Sequence, residues 1–299
     1  MKTRSPEDIL VVTAPALFVV LWSSGFIGTK TGVIYAEPLT FLSLRMGSLV
    51  LLLGALVLLT RPKWPSASCL GHNVIAGLGV HGLYLGGVSI AIDRGLPAGL
   101  AALIVAMQPI LTSTIANRWL GERVAWHQWM GLVLGLFGVW LVVHERTTGG
   151  EASLVAWVAI FIALIGITAG TLYQKRFAGG ADWRIGLLTQ YTASGAVFIA
   201  GAFAVERWQV QWTPQFLFAL GWLVFVLSIG AIWLLYFMIR RSAAMRVTSL
   251  FYLTPAVTAL MAWLIFDERL APLALVGMAI SVTGVFLVNW NGRLGRDRP

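Results

Sequence analysis

The chain has 299 residues, of which 58% are hydrophobic and only 11% charged, with a formal net charge of +9. A soluble domain carries charge on about a quarter of its residues, so this composition excludes one and sets apolar surface against lipid. The bases fall in short clusters between apolar runs rather than along one face, which excludes a nucleic-acid groove and fits the charge asymmetry of a membrane protein.

A helix needs about 20 apolar residues to cross the hydrocarbon core. Ten runs of that kind, bounded by charge, proline or glycine, are predicted at 9–28, 39–60, 70–92, 96–116, 126–143, 154–173, 185–205, 216–239, 247–266 and 273–290. The first follows Lys2 and Arg4, is long for a signal-peptide core and has no small-residue cleavage site before Lys30, so it is read as a span. It carries Trp22, Ser23, Ser24, Gly25 and Phe26, small and hydroxylated residues beside aromatics. Such a mixture suits a wall that hydrogen-bonds a polar ligand and stacks on its apolar part, and it equally suits close helix packing.

The second span holds Arg45, a charge embedded about a quarter of the way in. Embedded guanidinium groups mark functional sites, but this one is near enough to the outer end to snorkel, and a structural role is favoured. In the third span, His81 is the one ionisable side chain near a span centre, in the run GLGVHGLYLGG with Tyr84. It could couple protons to a cycle, recognise a carboxylate, or bond neutrally to a neighbouring helix. Both residues are candidate wall residues.

Span 4 carries Gln108 and Pro109, and span 9 carries Tyr252 and Pro255. A proline within a helix removes an amide donor and kinks the chain, and a kink beside Gln108 or Tyr252 would open the midplane. Span 6 offers Thr168 to Gln174, with Tyr173 as its aromatic, and span 8 offers Trp233 and Tyr236. Glu122 and Glu268 precede spans 5 and 10, where a carboxylate favours the positive end of the next helix and pairs locally, so both are read as structural.

Lys and Arg set the orientation. The N-terminus, the even-numbered loops and the C-terminus hold fifteen of the 21 bases, the alternate loops five, and Arg45 is the remaining one. Both termini are therefore expected in the cytoplasm, which requires an even number of spans. Trp64, Trp126, Trp183, Trp212 and Trp290 fall at span ends, as an aromatic belt would place them.

Sliding the sequence on itself by 146 positions superimposes QPILTSTIANRWLGERVAWHQWMGLVLGLFGVWLV from Gln108 on TPAVTALMAWLIFDERLAPLALVGMAISVTGVFLV from Thr254 without a gap. Pro109 meets Pro255, Thr112 meets Thr258, and Glu122-Arg123 meets Glu268-Arg269. At a shift of 145, Gly25 and Lys30 meet Gly170 and Lys175. The expectation is an all-α integral membrane protein of ten transmembrane helices in two inverted five-helix repeats, 1–148 and 149–299. Inverted repeats are the device by which many secondary transporters build outward- and inward-open states around a midplane site.

The strings ALFVVLWSSGFIGTKTGV, LSLRMGSLVLL after Pro38, RGLPAGLAALIVAMQPILT and GERVAWHQWMGLVLGLFGVWLVV resemble the EamA-type branch of the drug/metabolite transporter superfamily. That resemblance implies a central cavity formed largely by spans 1, 3, 4, 6, 8 and 9, and export of amino acids or related metabolites from the cytoplasmic membrane. Broad drug efflux and metabolite import are the alternatives of the same fold. Small multidrug carriers of the superfamily use a glutamate in their first span, and none is present here, which weighs against carboxylate-based proton antiport. The expected partners are a small-molecule substrate and membrane lipid, with no nucleic acid, and the chain is expected as a monomer or homodimer.

One cysteine, Cys69, and four histidines without ligand spacing leave no metal site and no disulfide framework to expect, and no cofactor is expected. A channel would want polar rings or a carbonyl filter, an intramembrane enzyme a serine with histidine and acid at matching depth, and an ATP-driven pump a GxxxxGK[ST] loop; none is in the sequence.

Overall fold

The computed structural model describes residues 6–108, 152–231, 253–268 and 272–289, with isolated positions between 111 and 141 and at 234, 238 and 251. The described chain is helical: α1 Pro6–Tyr35, α2 Pro38–Thr60, α3 Ala67–Asp93, α4 Ala98–Val105, α5 Leu154–Phe177, α6 Trp183–Val205, α7 Pro214–Ala231, α8 Thr254–Phe266 and α9 Pro272–Asn289. Six of these, α1, α2, α3, α5, α6 and α7, are long and apolar enough to cross a membrane. The predicted fifth span is described only at separate positions, and the predicted eighth only as far as Ala231 without interruption.

Local chemistry starts and stops these helices. Pro38 and Pro214 stand in the first turns of α2 and α7, where no intrahelical partner exists for an amide donor. Ser66, Ser153, Asp182 and Thr213 cap α3, α5, α6 and α7 through side-chain oxygens that accept from backbone N–H groups. The orphan N–H groups of Leu39 and Thr40 are met from across the molecule by the Glu206 carboxylate, at 2.8 and 2.7 Å. Outside the membrane, the Arg184 fork beside Asp182 holds that carboxyl down to about 2.

Packing follows the distribution of small residues. Helix α3 crosses α5 with glycines at the contact: a Cβ on Gly79 would lie 2.7 Å from Gly170 Cα, and one on Gly170 would lie 2.7 Å from Val80 N. Polar side chains join α3 to α6, where Gln190 Nε2 donates to Asn73 Oδ1 at 3.1 Å and Ser194 Oγ donates to the Gly77 carbonyl at 3.0 Å. The main core gathers α1, α3, α4 and α5, and every residue of α4 is buried, as expected for a helix that is apolar all round. Leu51, Leu58, Leu59 and Phe203 stand at least 72% exposed on the outside of the bundle, which in water would be costly and in lipid is not.

The connections segregate by end. At one end, Gln211 N donates to the Tyr35 carbonyl, Arg207 N donates to Glu37 Oε2, Ser153 N donates to the Arg94 carbonyl, and Lys30 meets Glu268. At the opposite end, His72 of α3 meets Tyr173 of α5, and a Cβ on Gly180 would touch Cys69 Sγ. The described residues of the connections predicted to be poor in base therefore share one end of the bundle. Helix α1 finishes at that end and α5 starts there, so the helices that head the two halves of the sequence run in opposite directions.

Two long helices depart from α geometry. Leu78–Leu83 in α3 and Trp222–Ala231 in α7 are π-helical. The first lies in the glycine-rich run around His81, where weak helix propensity lets the ladder widen. Pro255 lies in the first turn of α8, which begins at Thr254, and the predicted kink there involves preceding residues that lie outside the described ones. The helix begins there because a first-turn proline sacrifices no hydrogen bond. Pro109 and Glu122 lie outside the described residues.

Candidate functional site

A cavity of about 140 Å³ lies between α1, α2, α3, α5, α6 and α7. Its wall includes Trp22, Phe26 and Thr29 from α1, Arg45 from α2, His81 and Tyr84 from α3, Ile167 from α5, Tyr191 from α6, and Leu227 and Ser228 from α7. Each π-helical segment contributes two adjacent residues, Val80 and His81 from α3, Leu227 and Ser228 from α7. Wider turns at these points aim more than one successive side chain at the same space.

The wall is pseudo-symmetric. Trp22 and Ile167 are 145 positions apart, Arg45 and Tyr191 are 146, and the pairs Val80 with Leu227 and His81 with Ser228 are 147, and all eight face the cavity. The packing behind it repeats too: a Cβ on Gly25 would meet Leu227 of α7, and one on Gly170 would meet Val80 of α3. The chemistry does not repeat. An imidazole stands opposite a hydroxyl and a guanidinium opposite a phenol, so the two sides of the cavity offer a ligand different groups.

Several hydroxyls near the cavity are committed to backbone. Thr29 Oγ1 donates to the Gly25 carbonyl at 2.8 Å and Ser228 Oγ to the Leu223 carbonyl at 2.9 Å. Trp222 Nε1 donates to Ser24 Oγ at 2.8 Å, which ties α7 to α1. His81 lies against the ring of Tyr191, centroids 4.6 Å apart. Trp22 packs edge-on to Phe251 at 5.0 Å and tilted on Phe18 at 5.5 Å, which fixes its indole at the cavity margin.

Of the residues expected here, Trp22, Phe26, His81 and Tyr84 come together in one wall. Ser23 does not: it is fully buried, its Oγ donates to the Thr254 carbonyl at 3.3 Å and its own carbonyl accepts from Thr258 Oγ1 at 3.5 Å, so it joins α1 to α8. Gln108 donates to Thr171 Oγ1 at 3.2 Å and links the end of α4 to α5. Tyr173 bonds His72 Nδ1 at 2.8 Å and tilts on Phe177 at 4.8 Å, which puts it in an aromatic cluster at the end of α5 instead of in the cavity with Trp22. A repeat shift pairs stretches of chain, but the face each side chain takes depends on the helix it packs against. Trp233, Tyr236 and Tyr252 lie outside the described residues.

Arg45 departs most from expectation. It neither snorkels nor caps: it is 5% exposed, lines the cavity, and its Nε has no hydrogen-bond partner. Glu268 also differs from a local pair, since it meets Lys30 across 238 positions, part-buried between α1 and α8. Tyr191 is absent from the set that sequence reasoning expects, although the repeat shift from Arg45 leads to it. Spans 2 and 7 thus enter the wall that the resemblance assigned to spans 1, 3, 4, 6, 8 and 9.

An apolar bundle with six helices long enough to cross a membrane among the described residues, and a mixed-polarity cavity drawn from both halves of the sequence, has the form of a multi-pass membrane transporter. The EamA-like transporter family model matches residues 9–144 and again residues 153–290, and the chain belongs to that family. It is 30% identical to the uncharacterized transporter YvbV of Bacillus subtilis (strain 168), over 92% of this chain and 90% of that one. It is 26% identical to the probable amino-acid metabolite efflux pump of Escherichia coli (strain K12), over 91% and 92% of the two chains. A solved crystal structure superposes with a TM-score of 0.61 at 17% identity, covering 93% of this chain and 95% of that one, a likeness of fold.

Proposed function

We propose that the protein is a secondary carrier that exports amino acids or related small organic metabolites from the cytosol across the cytoplasmic membrane, by alternating access around the central cavity. In this reading ten helices form two inverted five-helix repeats, 1–148 and 149–299, with both termini in the cytoplasm. The observation that carries it is the cavity wall itself, in which residues 145 to 147 positions apart face one space. A site made by both halves must change shape when one half rocks against the other. The relative named as an amino-acid metabolite efflux pump supports the substrate class.

The test is counterflow in proteoliposomes loaded with single amino acids, beside arms loaded with lipophilic cations and with sugars. Exchange confined to the amino-acid arms and export from overexpressing cells are expected. Exchange only in the cation or sugar arms overturns the substrate reading. Tags beside Glu122 and Glu268 accessible from the same face of intact cells overturn the inverted arrangement.

A further inference from the structure

We infer that Arg45 is the binding residue for a carboxylate on the transported solute, and that the site is built for small, largely apolar carboxylates with no group assigned to an ammonium. The inference rests on the cavity being the transport site. Arg45 is only 5% exposed, it faces the cavity, and its Nε is buried without a hydrogen-bond partner. Glu268 pairs with Lys30, Asp93 with Arg94 and Asp182 with Arg184, so none of these acids neutralises Arg45.

A guanidinium taken out of water without an anion is strongly unfavourable. Charged groups kept inside a membrane are met by partners, and a bound ligand is one such partner. The planar fork of arginine matches a carboxylate bidentately, which a lysine ammonium does not. The rest of the wall is consistent with a compact carboxylate: Trp22, Phe26, Val80, Leu85, Val88 and Leu227 offer apolar contact. Among the described residues no Asp or Glu lines the cavity, so nothing on that wall reads an amine by charge. The amino group of an amino acid would then be tolerated rather than required, met at most by aromatic faces.

The experiment is proteoliposome counterflow with the best amino-acid substrate found for the full-length protein, competed by three analogues of the same side chain: the N-acetyl acid, the carboxamide, and the decarboxylated amine. Competition by the N-acetyl acid within a few fold of the parent, with the carboxamide and amine weaker by about tenfold or more, supports the inference. Equal competition by carboxamide and acid overturns it. Arg45→Lys and Arg45→Gln are measured alongside, with thermal melting in detergent as the folding control. A raised half-saturation concentration for the acid, about tenfold or more, with unchanged inhibition by the carboxamide, supports binding through Arg45. A variant that melts early but transports acid with unchanged half-saturation overturns it, and because the analogue comparison is made on the unaltered protein it decides the matter even where both variants misfold. Absence of exchange with every solute tested would overturn the transport reading itself, and the inference with it.

Discussion

Lys30, in the last turns of α1, closes on Glu268 just beyond α8 and sits 4.4 Å from the centre of the Phe266 ring. The pair spans 238 positions of sequence and shares its end of the bundle with the bridge between Ala36 and Val210. Lys30 directly follows Thr29, which lines the cavity. Breaking the pair is expected to loosen that end. In a Cys69→Ser background, Thr29→Cys should react with a membrane-impermeant thiol reagent several-fold faster when Glu268→Gln is added. An unchanged rate would make the pair a static surface contact, of the kind that contributes ~1 kcal/mol or less.

The α3–α5 crossing tolerates no side chain at its glycines. Gly79→Val would set a Cβ 2.7 Å from the Gly170 backbone, which cannot yield as a flexible side chain could. The expected cost is about 1–3 kcal/mol, seen as a lower melting temperature in detergent and a smaller folded yield. Gly47→Ala, where a Cβ would meet nothing within 4 Å, is the matched control and should melt like the parent.

Trp22 combines a cavity face with ring packing on Phe18 and Phe251. Trp22→Ala is expected to raise the half-saturation concentration for transport about tenfold while lowering folded yield much less. An aromatic pair contributes about 0.5–1.5 kcal/mol, and a carrier of this size can absorb that in stability more readily than a small site can in affinity. Equal loss of binding and yield would assign the indole to packing.

His81 faces Arg45 from α2, Tyr84 on its own helix and Tyr191 from α6. An imidazole that exchanges a proton during the cycle makes transport depend on pH. His81→Ala should then flatten the pH profile of transport in proteoliposomes. A profile that survives unchanged removes His81 from coupling. Asp182 does not confuse this readout: its carboxyl is held at about 2, below the unfolded value near 3.9, so its stabilising contribution is complete above that value and is lost only as pH falls toward 2.

The parts of the fold legible in the sequence are those set by the lipid. Helices α2, α5 and α6 run Pro38–Thr60, Leu154–Phe177 and Trp183–Val205, within a few residues of the apolar runs that predict them. Of the cavity wall, Trp22, Phe26, His81 and Tyr84 are among the residues the sequence singles out, as polar or aromatic side chains within apolar runs. Ser23, Gln108 and Tyr173 carry the same residue types and point elsewhere, because a hydroxyl, amide or phenol satisfies a neighbouring helix as readily as a ligand.

Composition and run length by themselves determined that this chain is a helical membrane protein, since hydrocarbon imposes internal hydrogen bonding and apolar length on any segment that crosses it. Only the tertiary structure decided which side chains share the cavity. Rotation of a helix about its axis leaves its hydropathy unchanged but is set by its contacts, such as Gly195 of α6 on Met46 of α2 and Gly79 of α3 on Gly170 of α5, and in that packing Arg45 and Tyr191 line the cavity while Tyr173 meets His72.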